Sequence, residues 1–158
     1  MKTRPATKDD YEVLFELFNE LQKTHCKKVP NFFKHASKDK VFYDYFGDVI
    51  ENADKHLILA FDGSVPIGYV YYVVSNLPEN VYRVKKQIIY INQIMIIKDY
   101  QGKGYGKALI GLVKDVAKKE NIKQVGLDVW LFNEGAIKFF ENQGFKPSLQ
   151  IMWHQMET

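Results

Sequence analysis

Three glycines at alternate positions, Gly102, Gly104 and Gly106, follow a long apolar segment and precede a helical pattern. A glycine turn at the start of a helix brings free backbone N–H groups and the positive end of the helix dipole together, and such a site binds anions. Because glycine has no Cβ, the backbone can approach a ligand closely, and Lys103 and Lys107 add positive charge. The spacing predicts a phosphate-binding loop, although a purely structural turn would use glycine in the same way.

Two common phosphate-binding motifs do not fit this segment. A P-loop ending at Gly106-Lys107 requires Gly where Gln101 stands and Ser or Thr where Ala108 stands. A dinucleotide-binding fingerprint that starts at Gly102 requires its third glycine where Lys107 stands. We therefore expect the loop to belong to another type of phosphate-binding domain.

The glycine segment resembles the acyl-coenzyme-A signature of the GCN5-related N-acetyltransferase superfamily, through Gln101-x-x-Gly104-x-Gly106 after an apolar strand. The later segment Asn133-x-x-Ala136-x-x-x-Phe140-x-x-x-Gly144-Phe145 is similar to the motif that follows in that family. The specific motifs span residues 90 to 145 approximately, whereas the order of elements agrees over nearly the whole chain.

The resemblance implies that acetyl-CoA is the acetyl donor and that the main chain recognises it. Main-chain groups of Ile94, Met95 and Ile96 would pair with the pantetheine arm, and the loop amides would bind the pyrophosphate. Asn133 would hydrogen-bond the cofactor arm, or serve only as a helix cap, and Phe140 would lie beside the thioester. The implied cofactor-binding residues are Ile94, Met95, Ile96, Gln101, Gly102, Lys103, Gly104, Tyr105, Gly106, Lys107, Asn133 and Phe140.

The implied reaction is direct attack of a neutral amine on the thioester, with a strand-end N–H near Met95 or Ile96 stabilising the oxyanion. Alkyl amines are mostly protonated at neutral pH, so the site needs a base. Asn92 stands where many family members have an acidic base, and an amide can only hold a water that relays the proton. Phe140 stands where a tyrosine often protonates the departing thiolate. Asp128 on the next strand is a candidate replacement base, predicted to face away from the helix that covers its neighbours.

The amine acceptor is the least constrained part of the prediction. By the resemblance, the first two helices and the strand ends line the acceptor side, with the aromatic residues Tyr11, His25, Phe32, Phe33, Tyr43 and Phe46. Such a lining suits a small amine with an apolar part, or a peptide end. The amphipathic pattern of the second helix explains Phe42, Tyr45 and Phe46 equally well as core residues.

The elements that position these residues follow from hydrophobic periodicity. Helices are predicted at residues 8–23, at 41–50 with Ser37 as the cap, from the glycine loop to Asn121, and at 134–143. Strands are predicted at residues 57–61, 67–75, 87–97, 124–130 and 148–155. Helices between the later strands predict an α/β fold, with a mixed, mostly antiparallel central sheet and helices on both faces.

Composition limits the classes of function. The 158 residues, 46% apolar and 26% charged, fit one domain over residues 1–158. A net charge of +3 with interspersed signs does not indicate nucleic-acid binding, and scattered histidines with the single Cys26 predict no metal site. We expect a cytoplasmic protein, because the chain shows no signal peptide and no run near the roughly 20 apolar residues of a membrane span.

These observations predict an acetyl-CoA-dependent N-acetyltransferase acting on a primary amine of a small molecule or of a protein or peptide. The alternative is an acyl-CoA-binding sensor or regulatory protein with little transferase activity, because Asn92 and Phe140 depart from the usual catalytic residues. The expected partners are acetyl-CoA and an amine acceptor, without nucleic acid or membrane. A homodimer is a further expectation, because the apolar segment 149–153 and the edge strands could pair between copies.

Overall fold

A computed structural model describes residues 1–156 of the chain. Its α-helices and strands, in chain order, are β1 (Lys2–Pro5), α1 (Tyr11–Lys28), α2 (Lys40–Glu51), β2 (Lys55–Asp62), β3 (Val65–Leu77), β4 (Lys86–Ile96), α3 (Tyr105–Lys119), β5 (Val125–Leu127) and α4 (Glu134–Asn142). Short 3-10 turns, Lys8–Asp10 and Lys98–Tyr100, precede α1 and follow β4.

The five strands form one sheet in the order β1-β2-β3-β4-β5. Neighbouring strands are antiparallel from β1 to β4, and β5 pairs parallel with β4. Residues 1–128 form one compact unit that contains the whole sheet, and residues 129–156 form a second unit that contains α4. The predicted mixed, mostly antiparallel α/β sheet is confirmed.

Helices cover both faces of the sheet. Alternate residues of a strand point to opposite faces, and on one face α1 and α2 pack against the same side of β2, β3 and β4. The buried residues of that core are Ala6, Leu14, Leu17, Phe42, Phe46, Val49, Leu57, Leu59, Tyr69, Tyr71 and Met95. The intervening strand residues, such as Val70 and Ile91, face the other side, which α3 covers with Leu109, Ile110 and Val113.

An ion pair fixes β1 to the start of α1. The Asp10 carboxylate is nearly fully buried and accepts hydrogen bonds from both terminal nitrogens of Arg4, each at 2.7 Å. It also accepts from the backbone N–H of Thr7 at 2.8 Å, which is the contact expected of a capping box. Hydrogen bonding to Arg4, together with the Thr7 contacts, lowers the pKa of Asp10 to about 2, against the opposing effect of burial.

Three predictions about secondary structure are wrong. The strand predicted at 124–130 forms only as β5, Val125–Leu127. The cap of α2 is Asp39 and not Ser37, because the Asp39 carboxylate accepts from the N–H of Phe42 at 3.1 Å while the Ser37 hydroxyl donates to Asp39. The predicted strand at 148–155 does not form among the described residues, and Leu149 and Trp153 are each 83% exposed. A strand exists only when a neighbour accepts its hydrogen bonds, and periodicity does not report whether that neighbour is present.

Candidate active site

The glycine loop forms an open turn at the start of α3. Gly102 and Gly104 have φ angles of 75° and 87°, the left-handed region that favours glycine. A Cβ built at either position meets no atom within 4 Å, so the outer side of the turn is unfilled. Gly104 is the N-cap residue of α3, and the first backbone N–H groups of a helix have no partner within it. The geometry therefore fits the predicted anion site.

Side chains around the loop hold it in place and supply charge. The Gln101 side-chain N–H donates to the carbonyl of Ile96 at 2.8 Å and ties the loop to the end of β4. The Lys103 ammonium lies 4.9 Å from the centre of the Tyr100 ring. Lys103 and Lys107 are both exposed, so their charges are accessible to a ligand. Burial, followed by the charge of Asp62, raises the pKa of Tyr105, which is therefore a neutral phenol at physiological pH.

The parallel strands β4 and β5 separate directly before the loop. They pair only where Ile89–Ile91 meets Val125–Leu127, while β4 continues to Ile96. Beyond Ile91, the edge of β4 that faces away from β3 has no strand beside it within residues 1–128. This edge can form main-chain hydrogen bonds with a ligand.

The register shows which main-chain groups point toward the open edge. The N–H of Ile97 donates to the carbonyl of Ile67 on β3 at 2.9 Å. Because antiparallel pairs alternate, the groups of Met95 also bond toward β3, and those of Ile94 and Ile96 point away from it. The Ile96 carbonyl already accepts from Gln101. The N–H groups of Ile94 and Ile96 and the carbonyl of Ile94 therefore line the open edge.

Asn92 occupies a β-bulge at the point where the strands separate. On β3, Tyr71 pairs with Gln93 and Tyr72 pairs with Ile91, so Asn92 has no residue opposite it. Its side chain is exposed. Bulges bend a strand and redirect side chains, and here the bulge places an amide, which can relay a proton only through water. The sequence pattern contained no signal for the bulge.

Asp128 contacts Tyr90, which lies on the sheet face that α1 and α2 cover. Tyr90 pairs with Gly126 on β5 and with Val73 on β3, and Val73 packs against the α1–α2 core. Asp128 is the first residue after β5, it is exposed, and its carboxylate lies beside the Tyr90 hydroxyl. Burial raises the pKa of Tyr90, and hydrogen bonding and charge from Asp128 raise it further.

Three polar side chains form a hydrogen-bonded chain that the sequence reasoning missed. The hydroxyl of Tyr69, which is fully buried, donates to Oε1 of Gln93 at 2.7 Å. Nε2 of Gln93 donates to the hydroxyl oxygen of Tyr45 at 3.4 Å. Tyr45 was expected in the core with Phe42 and Phe46, yet 42% of it is exposed while both phenylalanines are buried. Helical spacing assigns Tyr45 to the edge of the apolar stripe but does not reveal its polar contact.

The other predicted acceptor residues divide into core and surface groups. Phe46 is fully buried, so it cannot line an acceptor site. Tyr11 and Tyr43 stack edge to face at 5.1 Å and border an open groove of about 560 Å³ beside α2. His25 and Phe33 pack with ring centres 4.9 Å apart, at the end of α1.

Asn133 and Phe140 lie in the second unit, residues 129–156. The side-chain oxygen of Asn133 accepts from the N–H of Ala136 at 3.2 Å, so Asn133 is the N-cap of α4. Phe140 is buried and packs against Phe139 and Phe145, with ring centres at 5.2 and 5.8 Å. The cap explains Asn133 locally, and its predicted contact with the cofactor stays a prediction.

Two searches over residues 1–156 gave negative results. No cluster of three or more His, Cys, Asp or Glu side chains there could hold a metal ion. None of the helices in the same range is both long enough and apolar enough to cross a bilayer.

Known proteins resemble this chain in sequence. A model of the acetyltransferase (GNAT) family matches residues 14–145. An uncharacterized N-acetyltransferase from Methanocaldococcus jannaschii is 29% identical over 147 residues, which cover 90% of this chain. The matched region spans 59% of the length of that relative.

Solved structures share the fold at low identity. A tetramutant of a protein from Bacillus halodurans matches with a TM-score of 0.92 and 20% identity, covering 99% of this chain and 100% of that chain. An aminoglycoside N-acetyltransferase in complex with CoA matches with a TM-score of 0.76 and 15% identity, covering 99% and 95% respectively. Since the family model also matches most of the sequence, the chain belongs to the acetyltransferase (GNAT) family.

Proposed function

We propose that the protein is an acetyl-CoA-dependent N-acetyltransferase that acetylates a primary amine of a small molecule or of a protein or peptide. The proposal rests on one observation: an open, left-handed glycine turn at the start of α3 follows an unpaired edge of β4. Both features lie within the residues that the GNAT family model matches. The CoA complex of an aminoglycoside N-acetyltransferase with the same fold supports CoA as the ligand.

In this proposal the cofactor is bound mainly by backbone. The amides from Gly102 to Lys107 would bind the pyrophosphate, where the space beside the left-handed glycines is unfilled. The N–H and carbonyl of Ile94 and the N–H of Ile96 would pair with the pantetheine arm. Met95 would contribute packing only, since its main-chain groups face β3.

The oxyanion of the reaction needs a fixed hydrogen-bond donor. The N–H groups of Ile94 and Ile96 point to the open edge of β4 and are held rigidly by the sheet, so either could serve as this donor. Acetyl-CoA supplies the activated acetyl group, and the protein supplies orientation and the donor. Catalysis would then come mainly from proximity and oxyanion stabilisation.

We assign the role of base to Asp128, with Asn92 holding a water between the amine and the carboxylate. Asp128 is an exposed carboxylate beside the Tyr90 hydroxyl, and Asn92 lies at the bulge where β4 leaves β5. Asp128→Asn should lower kcat/KM at neutral pH by roughly 10²- to 10⁴-fold, the usual contribution of a positioned base. Asp115→Asn on the outer side of α3, where Asp115 pairs with Lys118, is the matched control.

The pH profile distinguishes a base from a structural carboxylate. Above the pKa of the amine the acceptor arrives neutral, so the deficit of Asp128→Asn should shrink as the pH rises toward 10. Parallel profiles for the variant and the wild type would remove Asp128 from the role of base. Affinity for acetyl-CoA should be unchanged in both Asp variants.

Calorimetric titration with acetyl-CoA, followed by a thiol-release assay over amines, polyamines, amino acids and peptides, tests the function itself. Binding with amine-dependent release of thiol would establish the transferase. Binding without release would favour an acyl-CoA sensor, for which Asn92 and Phe140 are the structural reason, because neither side chain can act as a base or an acid. Absence of binding would refute both functions.

A further inference from the structure

The hydrogen-bonded chain from Tyr69 to Tyr45 has a definite direction. The Tyr69 hydroxyl has no access to solvent, and it donates to Oε1 of Gln93. That bond fixes the Gln93 amide with its oxygen toward Tyr69 and its nitrogen toward Tyr45. The Tyr45 oxygen therefore acts as an acceptor within the chain, and its own hydrogen points out of it.

The Tyr45 hydroxyl, at the outer end of this hydrogen-bonded chain, is accessible and protonated. Tyr45 keeps 42% of its surface exposed, while edge-to-face contacts with Phe46 at 5.1 Å and Tyr71 at 6.4 Å hold its ring in place. Burial of the hydroxyl, with smaller contributions from the charges of Tyr71 and Asp48, raises the pKa of Tyr45 to about 12. At physiological pH it is thus a neutral donor on a rigid ring.

The hydrogen-bonded chain ends beside the open edge of β4. Gln93 lies between the bulge residue Asn92 and Ile94, whose main-chain groups line that edge. The Gln93 side chain points to the face that α1 and α2 cover, opposite α3. A molecule that approaches the open edge of β4 from this face would pass the Tyr45 hydroxyl, because Tyr45 contacts Gln93, the neighbour of Ile94.

We propose that Tyr45, oriented by Gln93 and Tyr69, is a specificity-determining residue that donates a hydrogen bond to an oxygen next to the acceptor amine. The preferred acceptors are 2-amino carbonyl compounds, such as amino acid amides and peptide N-termini, over amines with no oxygen near the nitrogen. This inference rests on the proposed acetyltransferase function.

Two acceptors that differ only in the carboxamide test it: phenylalaninamide and phenethylamine. Their kcat/KM values are measured by thiol release, and their dissociation constants by calorimetry with CoA-saturated protein, which needs no turnover. The wild-type protein should favour phenylalaninamide both in kcat/KM and in binding affinity. Tyr45→Phe should reduce kcat/KM for phenylalaninamide by roughly 3- to 10-fold, as expected for one neutral hydrogen bond. The kcat/KM for phenethylamine should change less than about 2-fold.

The ratio of the two kcat/KM values, phenylalaninamide over phenethylamine, is compared across variants. This ratio isolates the effect of the Tyr45 hydroxyl. The amine of phenylalaninamide is less basic than that of phenethylamine. This difference is the same for every variant, so it cancels when the ratios of two variants are compared. Tyr82→Phe is the matched control, because Tyr82 lies 84% exposed in the loop between β3 and β4 and its ratio should equal that of wild type. Tyr69→Phe should lower the ratio as well, through KM rather than kcat, because Gln93 is then no longer oriented.

The readouts separate this inference from the enzymatic function. If phenylalaninamide binds more tightly than phenethylamine, Tyr45→Phe removes that preference and neither compound releases thiol, the hydrogen bond is supported and the result counts against the transferase. Thiol release with the same acceptor ratio in wild type and Tyr45→Phe would overturn the role of Tyr45 and keep the transferase. If neither acceptor binds or reacts, the proposed acceptor class is wrong.

Discussion

Replacement of Gly104 by asparagine or aspartate probes the charge at the glycine loop. Gly104 has a φ of 87°, and an added Cβ meets nothing within 4 Å, so a small side chain has room. Asn and Asp are the non-glycine residues that best tolerate the left-handed region. The two side chains have the same shape, and only aspartate brings a negative charge to the predicted pyrophosphate site.

The expected difference between the two variants follows from Coulomb's law. Two unit charges about 4 Å apart interact by about 1 kcal/mol in bulk water and by about 4 kcal/mol at the effective dielectric constant of a protein surface. Gly104→Asp should therefore bind CoA roughly 5- to 1,000-fold more weakly than Gly104→Asn at low salt. Added salt should reduce that gap, because both charges are near solvent.

Calorimetric titration of both variants with CoA and with pantetheine measures this effect. Pantetheine lacks the pyrophosphate, so its affinity should be the same for the two variants. Urea unfolding checks that both variants are equally stable. Equal CoA affinities for Gly104→Asp and Gly104→Asn, or a pantetheine affinity that differs between the variants as much as the CoA affinity does, would refute the assignment of the loop to the pyrophosphate.

Three further predictions concern stability and catalysis. Because the pKa of Asp10 is lowered to about 2, its contribution is complete above pH 4 and is lost as the pH falls toward 2; we expect urea titrations to show a loss of about 2 kcal/mol that Asp10→Asn lacks. Gly68→Ala should destabilise by about 1–3 kcal/mol, since its Cβ would lie 2.1 Å from the Met95 carbonyl oxygen, whereas Gly111→Ala in open space should not destabilise. Phe140→Tyr should raise kcat for thiol release up to roughly 10²-fold, and an unchanged kcat would mean that solvent already protonates the thiolate.

Local patterns were sufficient to predict β4 and the glycine loop. The apolar run at 87–97 predicted β4, whose observed bounds are Lys86–Ile96, and the glycines predicted a turn that the left-handed φ angles of Gly102 and Gly104 require. Each of these features depends on residues close in sequence. The predicted helix at 134–143 agrees with α4 for the same reason, since Asn133 caps it and Gly144 ends it with a φ of 88°.

Features that depend on pairing between distant residues could not be predicted. The bulge at Asn92 exists because Tyr71 and Tyr72 of β3 pair with Gln93 and Ile91, a register that no local pattern encodes. The hydrogen bond between Gln93 and Tyr45 joins residues 48 positions apart. The strand expected at 148–155 had the right alternation, but alternation specifies only which side chains share a face.

Our proposal assigns the recognition of CoA to the backbone. If CoA is bound by amides of the glycine loop and by the open edge of β4, most side chains can change without loss of the cofactor. In the same proposal, the acceptor would meet side chains on the face that α1 and α2 cover, where Tyr45 and Gln93 contact each other. Substitutions at these two positions should therefore change which amine is acetylated while CoA affinity stays constant.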